Sequence, residues 1–257
     1  MIMEDNMNKA MKILAAVLAL TMLVGVAGCA AKSNGTKDPK VLVMGTNATF
    51  PPFEYLDGGA VVGVDAELMA AIAKEMGIKL EISDMEFDSL PTALANEQID
   101  VIAAGFTVNA DREETMDFSS PYYTASQTII VLSGSAIATA DDLTDKIIGV
   151  QSGTTGSWAA EDYTAVDNIK GFANGMLAVE ALKNGQVDAV IIDNNPAKAY
   201  AEQNADTLTL IEGQFADEEY AFAVAKGNTV LLNKINEALA KIKADGTFDE
   251  IISKYVK

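Results

Sequence analysis

The sequence contains no histidine and a single cysteine, Cys29. Without an imidazole, neither a Ser-His-Asp triad nor a Cys-His nucleophile can be assembled, and histidine-ligated zinc is excluded. One cysteine has no partner for a disulfide. Basic residues are scarce as well: 18 Lys and Arg stand against 37 Asp and Glu, a formal charge of −19. Such a surplus argues against nucleic acid or anionic lipid as a partner, although solubility alone also accounts for it. The apolar run at the amino terminus, Ile13 to Ala27, has fifteen residues, short of the roughly 20 that a membrane-spanning helix needs.

What is present at that end reads as an address. Lys9 and Lys12 precede the apolar run, which ends in Val26-Ala27-Gly28-Cys29. Small residues before a lone cysteine resemble the lipobox of bacterial lipoproteins, so residues 1–28 are expected to be a lipoprotein signal peptide and Cys29 the lipidated first residue. An ordinary signal peptide with an incidental cysteine is the alternative. Acidic Glu4 and Asp5 are unusual so early in a leader, which makes Met7 a second candidate start. Residues 29–39, small, polar and aperiodic, suit a flexible tether. The expected location is extracytoplasmic, on the outer face of the cell membrane or in a periplasm, with the membrane touched through the lipid only.

From Lys40 the chain can build one large or two small domains. Val41 to Met44, Ile99 to Ala103, Ile147 to Val150 and Ala189 to Ile192 are short apolar runs, the signature of strands buried on both faces in parallel sheets. Between them, Asp65 is a candidate cap for a helix carrying Leu68, Met69, Ile72 and Met76, and Asp88 for another with Pro91 in its first turn. Thr139 and Asp142 suit a capping box. Further helices are expected over Gly175 to Lys183, Pro196 to Gln203 and Val230 to Lys241. The class is α/β. Because the strand-helix pattern restarts after the extended stretch Ala125 to Leu132, and a second extended piece runs from Tyr220 to Val224, two lobes are expected: residues 40–124 plus 220–257, and 125–219. Paired crossings of this kind make a hinge.

Ligands of open parallel sheets sit at the carboxyl ends of strands. Those ends carry Gly45 to Phe50, then Ala104-Gly105-Phe106-Thr107 with Arg112, then Gln151 to Gly156, then Asp193. Arg112 and the Thr154-Thr155 helix start can hold a carboxylate. Asp193, Thr107 and the Gly105 carbonyl can hold an ammonium group, and Phe50 with Phe87 can sandwich an apolar or cationic side chain. The composition is that of an amino-acid site. Each part has a plainer alternative: Arg112 sits in Asp111-Arg112-Glu113-Glu114, suited to a surface ion-pair helix, Asp193 is a possible helix cap, and both phenylalanines are possible core residues. Gly153 to Ser157 lacks the lysine of a nucleotide loop. Asp245 to Glu250 lacks the ligand spacing of a calcium loop and reads as a break between helices. No metal or cofactor is implied.

Gly45-Thr46-Asn47-Ala48-Thr49-Phe50-Pro51-Pro52-Phe53, Val62-Gly63-Val64-Asp65, Asp117 to Tyr123, Gly149 to Gly156, Val187 to Val190 and Asp245 to Phe248 together resemble the polar amino-acid-binding family of bacterial extracellular solute-binding proteins, from Val41 to Val256. The resemblance implies a type II periplasmic-binding-protein fold: two lobes, each a mostly parallel sheet flanked by helices, closing on an L-amino acid for delivery to an ABC permease. It implies a monomeric receptor subunit rather than an enzyme. It gives Arg112 the α-carboxylate, Asp193 the α-ammonium, Phe50 and Phe87 the aromatic clamp, and Ala104, Gly105, Thr107, Thr154 and Thr155 backbone or hydroxyl contacts. Binders of basic amino acids in this family often carry Asp where Asn47 stands, and Ile192 is apolar where some members are polar. With Gln151, these departures favour a neutral or polar amino acid, a basic one being the alternative. The rival of another class is a cyclohexadienyl dehydratase-like enzyme, which needs a Glu just beyond Asp193; Asn194-Asn195-Pro196 follows instead.

Overall fold

A computed structural model describes residues 39–256. The signal segment, Cys29 and the tether up to residue 38 lie outside the described residues. The apolar run β1 (Val41–Thr46) leads into a three-stranded antiparallel meander, β2 (Thr49–Phe50), β3 (Glu54–Asp57) and β4 (Ala60–Val62). The helix Val64–Glu75 follows, burying Leu68, Met69, Ile72 and Ala73 along one stripe, each large side chain worth roughly 1.5–3 kcal/mol of transfer free energy. It returns the chain to β5 (Lys79–Asp84), which pairs parallel with β1 along its whole length. β6 (Val101–Ile102) lies parallel on the other side of β1, and β7 (Met116–Phe118) ends this pass.

The chain then crosses into a second sheet. β8 (Tyr123–Leu132), β9 (Ile148–Gln151), β10 (Ile169–Phe172), β11 (Ala189–Asp193) and β12 (Leu208–Ile211) lie in the order β10-β9-β11-β8-β12. Within it, β9 is parallel to β10 and β11, and the long β8 is antiparallel to β11 and β12. β13 (Asp217–Tyr220) runs back along the start of β8, with Tyr220 opposite Tyr123. The return strand β14 (Ala223–Ala225) then inserts between β6 and β7 in the first sheet. Where both crossings meet, Phe53 packs edge-on against Tyr123 and Tyr220 at 4.9 and 5.1 Å, and Tyr122 stacks on Phe222 at 4.5 Å.

Four local expectations need correction. The extended piece Tyr220 to Val224 is two strands in different sheets. Only Val101 and Ile102 of the run Ile99 to Ala103 pair as a strand, although the Asp100 and Ala103 N–H groups also donate to the Val43 and Gly45 carbonyls of β1. Gly63, not Asp65, precedes the first helix, and the Asp65 carboxylate turns inward, accepting from the Gly105 N–H at 2.8 Å and the Tyr122 hydroxyl at 2.7 Å. Ser89, not Asp88, precedes the helix Leu90–Ala95, where a turn of 3₁₀ helix over Phe87–Ser89 intervenes. The Thr139–Asp142 capping box is present. The helix Gly175–Lys183 has its anticipated bounds, and the helix Thr229–Ala244 buries Leu231, Ile235, Leu239 and Ile242. Gly246, at φ 89°, breaks that helix from the next, Thr247–Tyr255.

Candidate functional site

The carboxyl ends of β1, β6, β9 and β11 face one another across the two sheets and enclose a small cavity. Asn47, Phe50, Phe87, Gly105, Thr107, Arg112, Gln151, Thr154, Thr155 and Asp193 line it, joined by Glu54. Ala104 does not; it packs in a core cluster with Phe87, Phe106 and Met116. Sequence reasoning missed Glu54, the first residue of β3. The signal was there: an acid following Pro51-Pro52-Phe53 in a strand whose neighbours turn to the core.

Arg112 is the chain's single arginine. Its helix, Ala110–Thr115, is capped by Asn109, whose side chain accepts from the Arg112 N–H at 2.9 Å. The side chain does not point to solvent as an ion-pair helix requires; it is 7% exposed. The guanidinium lies 3.9 Å from the centroid of Phe106 and is flanked by Phe87 and Trp158. It donates to two backbone carbonyls, Thr107 at 2.7 Å and, from the opposite sheet, Gly153 at 3.0 Å. No carboxylate among the described residues forms an ion pair with it. Burial lowers its pKa to about 10, partly offset by Glu218 and Asp193, so it remains a cation at neutral pH.

The acids are buried with it. Asp193 ends β11 at 5% exposure and makes no side-chain bond to the helix Asn194–Gln203 that it precedes. Its carboxylate accepts instead from the Tyr220 hydroxyl at 2.5 Å. Burial first, then the nearby Glu218, raises its pKa to about 6. Glu54 is 1% exposed, and neither of its carboxylate oxygens has a hydrogen-bond donor among the described residues. Burial and the facing carboxylate of Asp65, with Asp193 and Asp84 beyond, push it well above the usual carboxylate range. Asp65 is itself raised to about 6 by burial, against the lowering effect of its two donors.

Polar contacts join the two sheets around this cavity. Gln151 Nε2 donates to Asn47 Oδ1 at 3.0 Å, and Asn47 Nδ2 donates to the Met85 carbonyl at 2.8 Å, so Asn47 is committed to the protein. The Tyr200 hydroxyl donates to the Thr49 carbonyl at 2.7 Å. Gly105, at φ 54°, brings its backbone to the cavity wall, where an added Cβ would lie 2.9 Å from Phe50. Thr154 caps the helix Thr155–Glu161, accepting from the Ser157 N–H at 3.3 Å. The arrangement can hold an anionic group at Arg112, cationic groups at Asp193 and Glu54, and an apolar stem between Phe50 and Phe87. Among the described residues no group of three or more Asp, Glu or Cys is placed to hold a metal ion.

The sequence model of the bacterial extracellular solute-binding proteins, family 3, matches residues 42–257. The chain belongs to this family. A probable histidine-binding protein of Neisseria gonorrhoeae is 36% identical over 262 residues, with 95% of each chain covered. An ancestral arginine-binding protein bound to arginine is 42% identical with a TM-score of 0.81, covering 85% of this chain and 99% of the other. A second structure of an ancestral arginine-binding protein, bound to glutamine, is 42% identical with a TM-score of 0.82, covering 86% and 99%. The two sheets are thus the two lobes of a type II periplasmic-binding fold, and the cavity lies between them. Among the described residues no helix is long and apolar enough to cross a membrane.

Proposed function

We propose that this protein is the extracytoplasmic receptor subunit of an ABC importer, binding a cationic L-amino acid, arginine foremost, in the cavity between its lobes. The observation that carries the reading is a buried guanidinium with no carboxylate partner among the described residues, facing two buried acids across the same small volume. Arg112 takes the α-carboxylate as a bidentate donor, with the Thr155 N–H at the helix start beside it. Asp193 takes the α-ammonium, and Phe50 and Phe87 cover the aliphatic stem. Glu54 takes the charged end of the side chain. The protein does no chemistry on its ligand.

Glu54 shifts the side-chain preference away from the neutral ligand that Asn47, Gln151 and Ile192 suggested. Asn47 accepts from Gln151 and from Thr49 and donates to the Met85 carbonyl, so it has little left with which to read a side chain. With Arg112, Asp193 and Glu54 ionised, the cavity carries one negative charge in excess, which a cationic amino acid neutralises and a neutral one does not. Glutamine is the second reading, supported by the position of Glu54: burial favours its protonated form, whose hydroxyl can donate to a side-chain amide. The lipid anchor at Cys29 belongs to this proposal too, supported by the apolar leader and the Val26-Ala27-Gly28-Cys29 segment of the sequence. Calorimetry of the protein starting near Lys32 against the twenty amino acids tests it. Arginine is expected to bind in the micromolar range or tighter, about −8 kcal/mol, and absence of binding to every amino acid would refute the reading.

A further inference from the structure

Glu218 touches none of the cavity directly, yet it binds two residues that line it. One carboxylate oxygen, Oε2, accepts from the Thr107 hydroxyl at 2.8 Å and from the Thr155 hydroxyl at 2.7 Å, and Oε1 lies 3.4 Å from Gln127 Nε2. Thr107 follows β6 in one lobe and Thr155 opens a helix in the other, while Glu218 sits on the crossing strand β13. A hydroxyl carries one proton and two lone pairs. Once that proton is given to Glu218, the oxygen can present only lone pairs elsewhere. Gln127 Nε2 also donates to the Thr155 hydroxyl oxygen, at 3.2 Å, taking one of that oxygen's two lone pairs. Both lone pairs of the Thr107 oxygen stay available.

We infer that Glu218 is a positioning residue that fixes the Thr107 and Thr155 hydroxyls as hydrogen-bond acceptors toward the ligand's α-ammonium group, so that the site selects an amino acid over its α-hydroxy counterpart. The inference rests on the amino-acid reading above. An ammonium offers donors alone and matches a wall of lone pairs beside Asp193. A hydroxyl group offers one donor and brings lone pairs of its own, which this wall repels. With Glu218 gone, both threonine hydroxyls are free to rotate and donate, and the discrimination weakens.

The test uses Glu218→Leu, which removes the acceptor, and Glu218→Gln, whose carboxamide oxygen can still accept both hydroxyls. Arginine and the α-hydroxy acid with the same side chain are titrated into each protein, the hydroxy acid by competition against arginine, with melting temperatures confirming that both variants fold. Glu218→Leu is expected to lose about tenfold or more on arginine, to bind the hydroxy acid no more weakly than the unsubstituted protein does, and to let it compete at millimolar concentration. Glu218→Gln is expected to stay within about threefold of the unsubstituted protein. An unchanged arginine affinity in the Leu variant overturns the inference. So does an equal loss on both ligands, a Gln variant as weak as the Leu variant, or a hydroxy acid that does not compete on the Leu variant. If the unsubstituted protein binds no amino acid, the functional reading fails as well; if it binds arginine and only these comparisons fail, that reading stands.

Discussion

Replacing Glu54 by Gln removes a charge from the cavity while keeping volume and an acceptor. In the proposed complex the Glu54 carboxylate is paired with the ligand's cationic end away from water, and losing one partner of such a pair costs about 2–5 kcal/mol. At the lower bound arginine binding weakens about 30-fold. Glutamine, which needs no charge there, should change by less than about threefold. A second readout follows from the pKa. Burial and Asp65, Asp193 and Asp84 raise Glu54 well above its ordinary value, so the acid must release its proton to accept a cation. Above about pH 7, where Asp193, at about 6, is already ionised, arginine affinity therefore rises with pH, by about tenfold per pH unit below the raised pKa of Glu54, while glutamine affinity stays flat. Isothermal titration in two buffers of different ionisation enthalpy counts the proton directly: it should appear with arginine, and disappear with glutamine or in Glu54→Gln. A Gln variant that binds arginine as tightly as the unsubstituted protein would refute the reasoning.

The other expectations are simpler to state. Arg112→Ala should weaken every amino-acid ligand more than tenfold, since a hydrogen bond between charged groups contributes about 1.5–3 kcal/mol; calorimetry with arginine and glutamine checks it, and a loss confined to one ligand removes Arg112 from the α-carboxylate. Gln151→Ala, which deletes a bond to Asn47 across the lobes, should weaken arginine and glutamine by the same factor. Asp65 and Asp193 have folded-state values of about 6 against an ordinary 3.8, so the folded protein holds their protons more tightly than the unfolded chain. Their contribution to stability is full below about pH 4 and lost as pH rises toward 6, on the order of 3 kcal/mol each. Asp65→Asn keeps an acceptor for Gly105 and Tyr122, so urea denaturation without ligand should show it gaining about 1–3 kcal/mol at pH 7 and nothing at pH 4.

Buried parallel strands were legible because their apolar runs are continuous, and β1, β9 and β11 lie within two residues of where those runs begin and end. β6 lies within the same margin, shorter than its run at both ends, with β1 on one side and, on the other, β14, more than a hundred residues away. The same distance hid the split of Tyr220 to Val224: five consecutive residues read as one extended piece, and only packing shows that Tyr220 faces Tyr123 in one lobe while Ala223 faces Phe118 in the other. Caps failed where chemistry elsewhere took the side chain. Asp65 looked like a helix cap by its place in the chain, but Tyr122 and the Gly105 N–H hold it deeper. In the site, strand ends pointed to nine of the eleven lining residues, and the expected aromatic clamp to a tenth, Phe87. Glu54 escaped because it lies in the meander, not at the end of a parallel strand. A further signal in the sequence was that Arg112 is the single arginine, so any bidentate carboxylate contact had to use it.

Closure and recognition draw on the same groups without competing for them. A guanidinium has five N–H donors. Arg112 gives one to Thr107 within its own lobe and one to Gly153 across the cleft, which leaves three for a carboxylate. A ligand therefore adds bonds to the arrangement that already joins the lobes. Among the described residues three direct bonds cross the cleft there, from Arg112 to Gly153, Gln151 to Asn47 and Tyr200 to Thr49. At about 0.5–1.5 kcal/mol net each, they are comparable with the cost of ordering the side chains that make them. In the proposed receptor the protein's own contacts would thus bring a closed arrangement near balance with an open one, and an amino acid spanning Arg112 and Asp193 would have to supply only the difference. A ligand lacking either the carboxylate or the ammonium engages one end of the cavity and gains less from closure. On this account the α-groups decide whether the lobes stay shut, and Glu54 decides which side chain is worth shutting them on.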